Sequence, residues 1–186
     1  MRTRTRKESW TVDQWVDFGH RCQDVRDRID ALIREFPETP GLKASFITRL
    51  MDAHGKFSRG MIGVENVFAE QHPDYNNAAI TTIHGHGGTF WYRCKGRVQN
   101  DAPRLARGQW LELGDRVKAI RSDIQAILTE FQSTRHATKA YVNRFFAAVR
   151  AIDRAKCGFD SAVCSQHPDW REASRVFYGP PISLAL

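Results

Sequence analysis

The chain repeats its own residue pattern at a fixed offset of 95 residues, and this limits the folds it can adopt more than any other feature. The four residues Gln71–Asp74 recur unchanged as Gln166–Asp169, and Gln14-Trp15 recurs as Gln109-Trp110. The alignment between these points needs no gap. A long repeat of this kind marks a supersecondary unit that is used more than once. We therefore predict a tandem duplication.

Each copy contains two stretches with helical periodicity. After a capping-box pattern at Thr11–Gln14, apolar residues recur at intervals of three and four. The two stripes of the first copy are Trp15, Phe18, Cys22, Val25, Ile29, Leu32, Ile33 and Phe36, and then Phe46, Leu50, Met51, Phe57, Met61, Val64 and Phe68. Those of the second copy are Trp110, Leu113, Val117, Ile120, Ile124, Ile127 and Phe131, and then Tyr141, Phe145, Val149, Ile152, Phe159 and Val163. Thr39-Pro40 predicts the start of the second helix, and Pro73 and Pro168 predict where that helix ends in each copy.

Two amphipathic hairpins bury their apolar stripes most simply by packing against each other. We therefore predict an all-α fold, a tandemly duplicated helical hairpin that forms a pseudo-twofold four-helix bundle. A domain-swapped or dimeric arrangement of the same faces is the alternative. Each copy is expected to carry an extra short helix, which in the first copy runs from Pro73 through Ile80. The β-favouring stretch Thr89–Val98, with a Lys-Gly turn, could add a small β-hairpin in the connection.

Five segments follow from this pattern. They are a basic N-terminal arm (1–11), helical repeat one (12–83), a connection rich in glycine, aromatic and basic residues (84–108), helical repeat two (109–179) and an apolar tail (180–186). The longest apolar run spans five residues, 145–149, whereas a membrane helix needs about 20. No apolar stretch follows the basic residues of the arm, so a secretory signal is not expected. The four cysteines are then reduced thiols in a cytoplasmic protein.

The net charge of +7 is unevenly distributed along the chain. Residues 12–75 carry eight basic and eleven acidic residues, whereas residues 76–108 carry five basic and one acidic. The arm carries four basic and one acidic, and residues 133–170 carry six and three. At 100° per residue, the basic residues Arg135, Lys139, Arg150 and Arg154 of the last long helix fall within an arc of about 100°. The excess charge therefore lies in the arm, the connection and the last helix.

A one-sided basic stripe with a basic arm is typical of proteins that bind a phosphate backbone. We predict a non-enzymatic helical adaptor that binds DNA or RNA, as a subunit of a larger assembly. The predicted contacts are Arg2, Arg4, Arg6 and Lys7 in the arm, Trp91, Arg93, Lys95, Arg97, Arg104 and Arg107 in the connection, and Arg135, Lys139, Arg150 and Arg154 in the stripe. The alternative is a protein scaffold or inhibitor subunit whose same surface meets an acidic partner, which the apolar tail Ile182–Leu186 favours.

The arginines that both copies share are expected to have a structural role. These pairs are Arg21 and Arg116, Arg26 and Arg121, Arg49 and Arg144, and Arg59 and Arg154. Acidic residues also recur at the offset, as Glu35 and Glu130 and as Glu65 and Asp160. We predict symmetry-related ion pairs between these two sets.

Catalytic and metal-binding patterns are weak. Cys157, Cys164 and His167 lie on one side of a predicted helix and make a structural zinc site the second alternative, but zinc needs four ligands and no paired C-x-x-C is present. Glu65 and His72, with Asp160 and His167, have the wrong spacing for a dinuclear metal site. Arg49 and His54 have a spacing found in some helical ribonucleases, although the second copy has Val149 at the histidine position. We therefore expect no catalytic residue, metal or cofactor.

Overall fold

Residues 9–35, 44–75, 104–134 and 137–179 are described by a computed structural model. Four long α-helices make up most of this part of the chain: α1 (Val12–Glu35), α2 (Ala44–Gln71), α3 (Arg107–Ser133) and α4 (Lys139–Gln166). One turn of 3₁₀ helix, Pro73–Tyr75, follows α2, and another, Ala173–Arg175, follows α4. The described ranges contain no β-strand. The all-α prediction is confirmed.

The helix ends follow the local sequence. At the start of α1, Thr11 Oγ1 accepts from the Gln14 backbone N–H at 3.3 Å, and Gln14 Oε1 accepts from the Thr11 N–H at 2.9 Å. This is the predicted capping box. At the start of α3, Gln109 Oε1 accepts from the Ala106 N–H at 2.8 Å, but alanine has no side-chain oxygen to complete the box. The start predicted at Thr39-Pro40, the helical stretch up to Ile80, the β-hairpin of Thr89–Val98 and the apolar tail lie outside the described residues.

Every helix is antiparallel to both of its neighbours. The start of α1 meets the end of α2, where Trp15 Nε1 donates to Gln71 Oε1 at 3.3 Å. The start of α3 meets the end of α4 in the same way, where Trp110 Nε1 donates to Gln166 Oε1 at 3.2 Å. Contacts also join α1 to α3 and α2 to α4, so the order around the bundle is α1, α2, α4, α3.

The predicted apolar stripes line the interior of the bundle, apart from Phe36, which lies outside the described residues. The largest fully buried side chains are aromatic, and they come from all four helices and from the segment after α4: Trp15, Trp110, Phe18, Phe57, Phe68, Phe131, Phe145, Phe159 and Phe177. Met51 and Tyr141 are only partly buried and pack at the edge of this core. No helix in the described ranges is both long and apolar enough to cross a membrane.

The backbones of α2 and α4 approach closely because glycines lie between them. A Cβ atom added at Gly63 would overlap the ring of Tyr141, and one at Gly60 would lie 2.9 Å from Phe145 Cε1. On the other helix, a Cβ at Gly158 would overlap the guanidinium of Arg49. Larger residues at these positions would push the two helices apart.

Alanine substitutions on α2 test this packing. We expect Gly63→Ala to lower the free energy of unfolding by about 1–3 kcal/mol, because the added methyl group overpacks the interface. Gly55→Ala is the matched control, since nothing lies within 4 Å of its Cβ position. It should raise stability by about 0.5–1 kcal/mol through helix propensity. Urea unfolding measures both, and equal effects from the two substitutions would contradict the close approach.

Candidate functional site

The face formed by α1 and α3 is electrostatically neutralised by ion pairs between the two helices. Arg21 makes two hydrogen bonds to the Glu130 carboxylate, at 2.6 and 2.7 Å. Arg116 binds Glu35 in the same way, at 2.6 and 2.9 Å, and this hydrogen bonding lowers the pKa of Glu35. Arg28 Nη2 adds a bond to Asp123 at 2.7 Å. The pairing predicted between these arginines and Glu35 and Glu130 is therefore found.

The shared arginines between α2 and α4 behave differently. Arg49 Nη1 donates to the backbone carbonyl of Arg154 at 3.1 Å, and Arg144 Nη1 donates to the carbonyl of Arg59 at 3.1 Å. Gly158 leaves room for the first of these bonds, because a Cβ atom there would overlap Arg49 Nη1. A carbonyl oxygen is a neutral acceptor, so each guanidinium keeps its full positive charge. The prediction that Arg49 and Arg144 pair with acidic residues is wrong.

These arginines belong to a larger cationic surface, which we call the α2–α4 face. It consists of seven cations, Arg49, Lys56, Arg59, Lys139, Arg144, Arg150 and Arg154, with two carboxylates on the same side of α2, Asp52 and Glu70. All are exposed except Lys56, which is partly buried. Asp52 accepts from Lys56 at 2.6 Å and from Arg154 at 3.1 Å. Burial opposes ionisation of Asp52, but the hydrogen bonds and positive charges of Lys56 and Arg154 outweigh it and lower the pKa of Asp52.

Two carboxylates cannot neutralise seven cations. Within the described ranges, no carboxylate contacts Arg49, Arg59, Lys139, Arg144 or Arg150. The asymmetry of charge therefore runs between two faces of the bundle. The sequence had predicted it between the two hairpins, because summing charges by segment cannot tell which side of a helix a residue occupies.

The predicted contact residues divide into three groups. Lys139, Arg150 and Arg154 lie together on the α2–α4 face. Arg104 and Arg107 lie at the end of the bundle where α3 begins, and there Arg104 donates to the Gln166 carbonyl and Arg107 pairs with Asp169 at 2.6 Å. The others lie outside the described residues: Arg2, Arg4, Arg6, Lys7, Trp91, Arg93, Lys95, Arg97 and Arg135. The same face also carries Lys56, Arg49, Arg59 and Arg144, which are not among the predicted contact residues.

The cysteine and histidine residues near the end of α4 are separately engaged. Cys157 Sγ lies 2.9 Å from the Tyr178 hydroxyl, and His167 Nε2 lies 2.7 Å from the Leu105 carbonyl oxygen. Cys164 is exposed. Among the residues that the structure describes, no three His, Cys, Asp or Glu side chains are grouped as metal ligands.

Arg49 and His54 face different helices. Arg49 reaches the backbone of α4, whereas His54 Nε2 lies 3.3 Å from Asp30 Oδ1 of α1. Burial lowers the pKa of His54, although the Asp30 carboxylate opposes this. The ribonuclease-like spacing therefore does not bring the two side chains into one site.

Glu65 is an acidic side chain inside the interface between α1 and α2. It is only 5% exposed, and burial raises its pKa to about 7, which the charge of Arg26 partly opposes. Burial also raises the pKa of Asp160, its equivalent on α4. Glu65 thus makes folding sensitive to pH near neutrality.

The substitution Glu65→Gln tests this sensitivity. Folded Glu65 keeps a proton that the unfolded chain releases above its ordinary pKa of 4.5, so its contribution to stability is lost as pH rises from about 4.5 to 7. The difference in unfolding free energy, variant minus wild type, should therefore increase by about 1–3 kcal/mol between pH 5 and pH 8. The contribution of His54 is the same in both proteins and therefore cancels in this difference. Glu70→Gln, at an exposed position of α2, is the control. If the difference in unfolding free energy between variant and wild type is the same at pH 5 and pH 8, the raised pKa of Glu65 is contradicted.

Comparison with known proteins does not assign the chain to a family. No family model matches it, and neither a curated protein nor a solved structure matches it. Its function is therefore argued from the charge and geometry of the α2–α4 face.

Proposed function

We propose that the protein is a non-enzymatic adaptor that binds nucleic acid through the α2–α4 face. The observation that supports this most directly is the contrast between the two faces. Arginines between α1 and α3 bind carboxylates, whereas Arg49 and Arg144 between α2 and α4 bind neutral carbonyls. Of these two faces, it is the α2–α4 face whose positive charge is not compensated by carboxylates of the residues that the structure describes.

Guanidinium groups are well suited to a phosphate backbone. Each presents several N–H donors in a planar fork that matches phosphate oxygens, and each stays charged at any physiological pH. Arg49 and Arg144 use one Nη1 atom for the carbonyl bond, so other donors of the same group can meet phosphate. Binding would release counterions from the nucleic acid, which makes the affinity depend on salt.

Segments outside the described residues would extend this surface. The arm contributes Arg2, Arg4, Arg6 and Lys7, and the connection contributes Trp91, Arg93, Lys95 and Arg97. Arg104 and Arg107 contribute less than the sequence predicts, because one is bound to a carbonyl and the other to Asp169. We place the protein in the cytoplasm as a subunit of a larger assembly.

We also infer that the bundle arose by duplication of one hairpin. Three kinds of contact support this, since each occurs twice at the same offset of 95 residues. They are the tryptophan bond to glutamine, the bidentate ion pair between α1 and α3, and the arginine bond to a carbonyl between α2 and α4. Contacts paired in this way are those expected of a pseudo-twofold axis through the bundle.

An acidic protein is the alternative partner for the same face. Ile62, which is 43% exposed on α2, favours this alternative because protein interfaces combine apolar and arginine side chains. Salt would weaken binding to such a partner as well, but in that case the protein would not bind oligonucleotides at low salt.

A salt titration separates the two proposals. Fluorescence anisotropy with labelled DNA and RNA oligonucleotides should show log affinity falling linearly with log salt, by about 0.7–0.9 per phosphate contact. Arg150→Gln should weaken binding and reduce the slope by about one contact. Arg34→Gln on α1 removes the same charge elsewhere and should leave the slope unchanged. Absence of binding at low salt would reject the nucleic-acid proposal.

A further inference from the structure

The outer side of α4 carries an exposed aromatic ring between two cations. Lys139, Phe146 and Arg150 follow one another at intervals of seven and four residues, so they fall within an arc of about 40° on the helix. Phe146 is 39% exposed although it is a large apolar side chain. Its neighbour Phe145 is fully buried in the core. Because Phe145 anchors the inner side of α4 in the core, the ring of Phe146 on the outer side is held at the surface.

Packing symmetry does not explain this ring. The residues 95 positions earlier are Ala44, Met51 and Gly55, which include neither a cation nor an aromatic ring. Met51 is partly buried against the core, whereas Phe146 is exposed. The two hairpins thus share the core, while the combination of ring and cations belongs to α4 alone.

We propose that Phe146 stacks on an unpaired base and that the ligand of the α2–α4 face is single-stranded nucleic acid. This rests on the proposed function and specifies its ligand. An aromatic face offers a stacking surface to any base, while cations beside it neutralise the adjoining phosphates. Arg150 lies one turn beyond Phe146, about 6 Å along the axis, and Lys139 lies about 10 Å before it.

A duplex could not use this arrangement. The bases of a duplex are paired and stacked on one another, so a protein side chain can reach only the base edges and the phosphates. The cations of the face would still attract a duplex, but Phe146 would contribute nothing to its affinity. The preference for single strands therefore depends on the ring, and the general affinity depends on the charges.

The side chain of Phe146 gives a test that does not alter charge. Phe146→Leu removes the π-face but keeps an apolar side chain, and Phe146→Trp keeps a stacking surface. Ile62→Ala is the control, because it trims an exposed apolar side chain of α2 that is not aromatic. The full chain is titrated by anisotropy with a labelled single-stranded oligonucleotide and with its duplex, at several salt concentrations. Thermal unfolding confirms that each variant is folded.

We expect Phe146→Leu to weaken single-strand binding about 5- to 150-fold, with duplex binding changed less than about twofold. Its salt slope should equal that of the wild type, since no phosphate contact is lost. Phe146→Trp and Ile62→Ala should bind as the wild type does. Equal loss on both ligands, or no loss on either, would overturn the stacking role while leaving the basic face intact. Absence of binding to any oligonucleotide would overturn the proposed function itself, and the stacking role with it.

Discussion

The close contact between the backbones of α2 and α4 determines where this protein exposes positive charge. Glycines at positions 60, 63 and 158 allow the helices to approach so closely that arginine side chains from each reach the carbonyl groups of the other. These bonds fix the guanidinium groups at the surface without neutralising them.

On the opposite side of the bundle, ion pairs with glutamates neutralise the arginines. There, α1 and α3 are joined by bidentate pairs between arginine and glutamate, and these pairs leave little net charge. Exposed pairs of this kind add little to stability individually, so their clearer consequence is electrostatic. A bundle with one neutral face and one cationic face attracts a polyanion mainly to its cationic side. Long-range electrostatic attraction then orients the two molecules before they meet.

Much of the fold could be predicted from the sequence, because burial follows helical periodicity. Trp15, Phe18 and their equivalents lie in the core as their spacing indicates. The ion pair of Arg21 with Glu130 could also be predicted, since acid and base recur in matching register. The carbonyl bonds of Arg49 and Arg144 could not, because they depend on the distance between two helices, which no local pattern records. The ion pair of Arg107 could not be predicted for a related reason, because its partner Asp169 is 62 residues away. Phe146 could have been found, since its position on the helix differs from that of the buried Phe145 by 100°.

The central claim is that one face of the bundle, and not the other, meets the nucleic acid. Nuclear magnetic resonance of the isotope-labelled chain, observing backbone amides and arginine Nε–H groups during titration with a short oligonucleotide, tests it most directly. We predict shift changes at Arg49, Arg144 and Arg150, and unchanged signals at Arg21 and Arg116. Changes spread evenly over both faces, or confined to α1 and α3, would contradict the account.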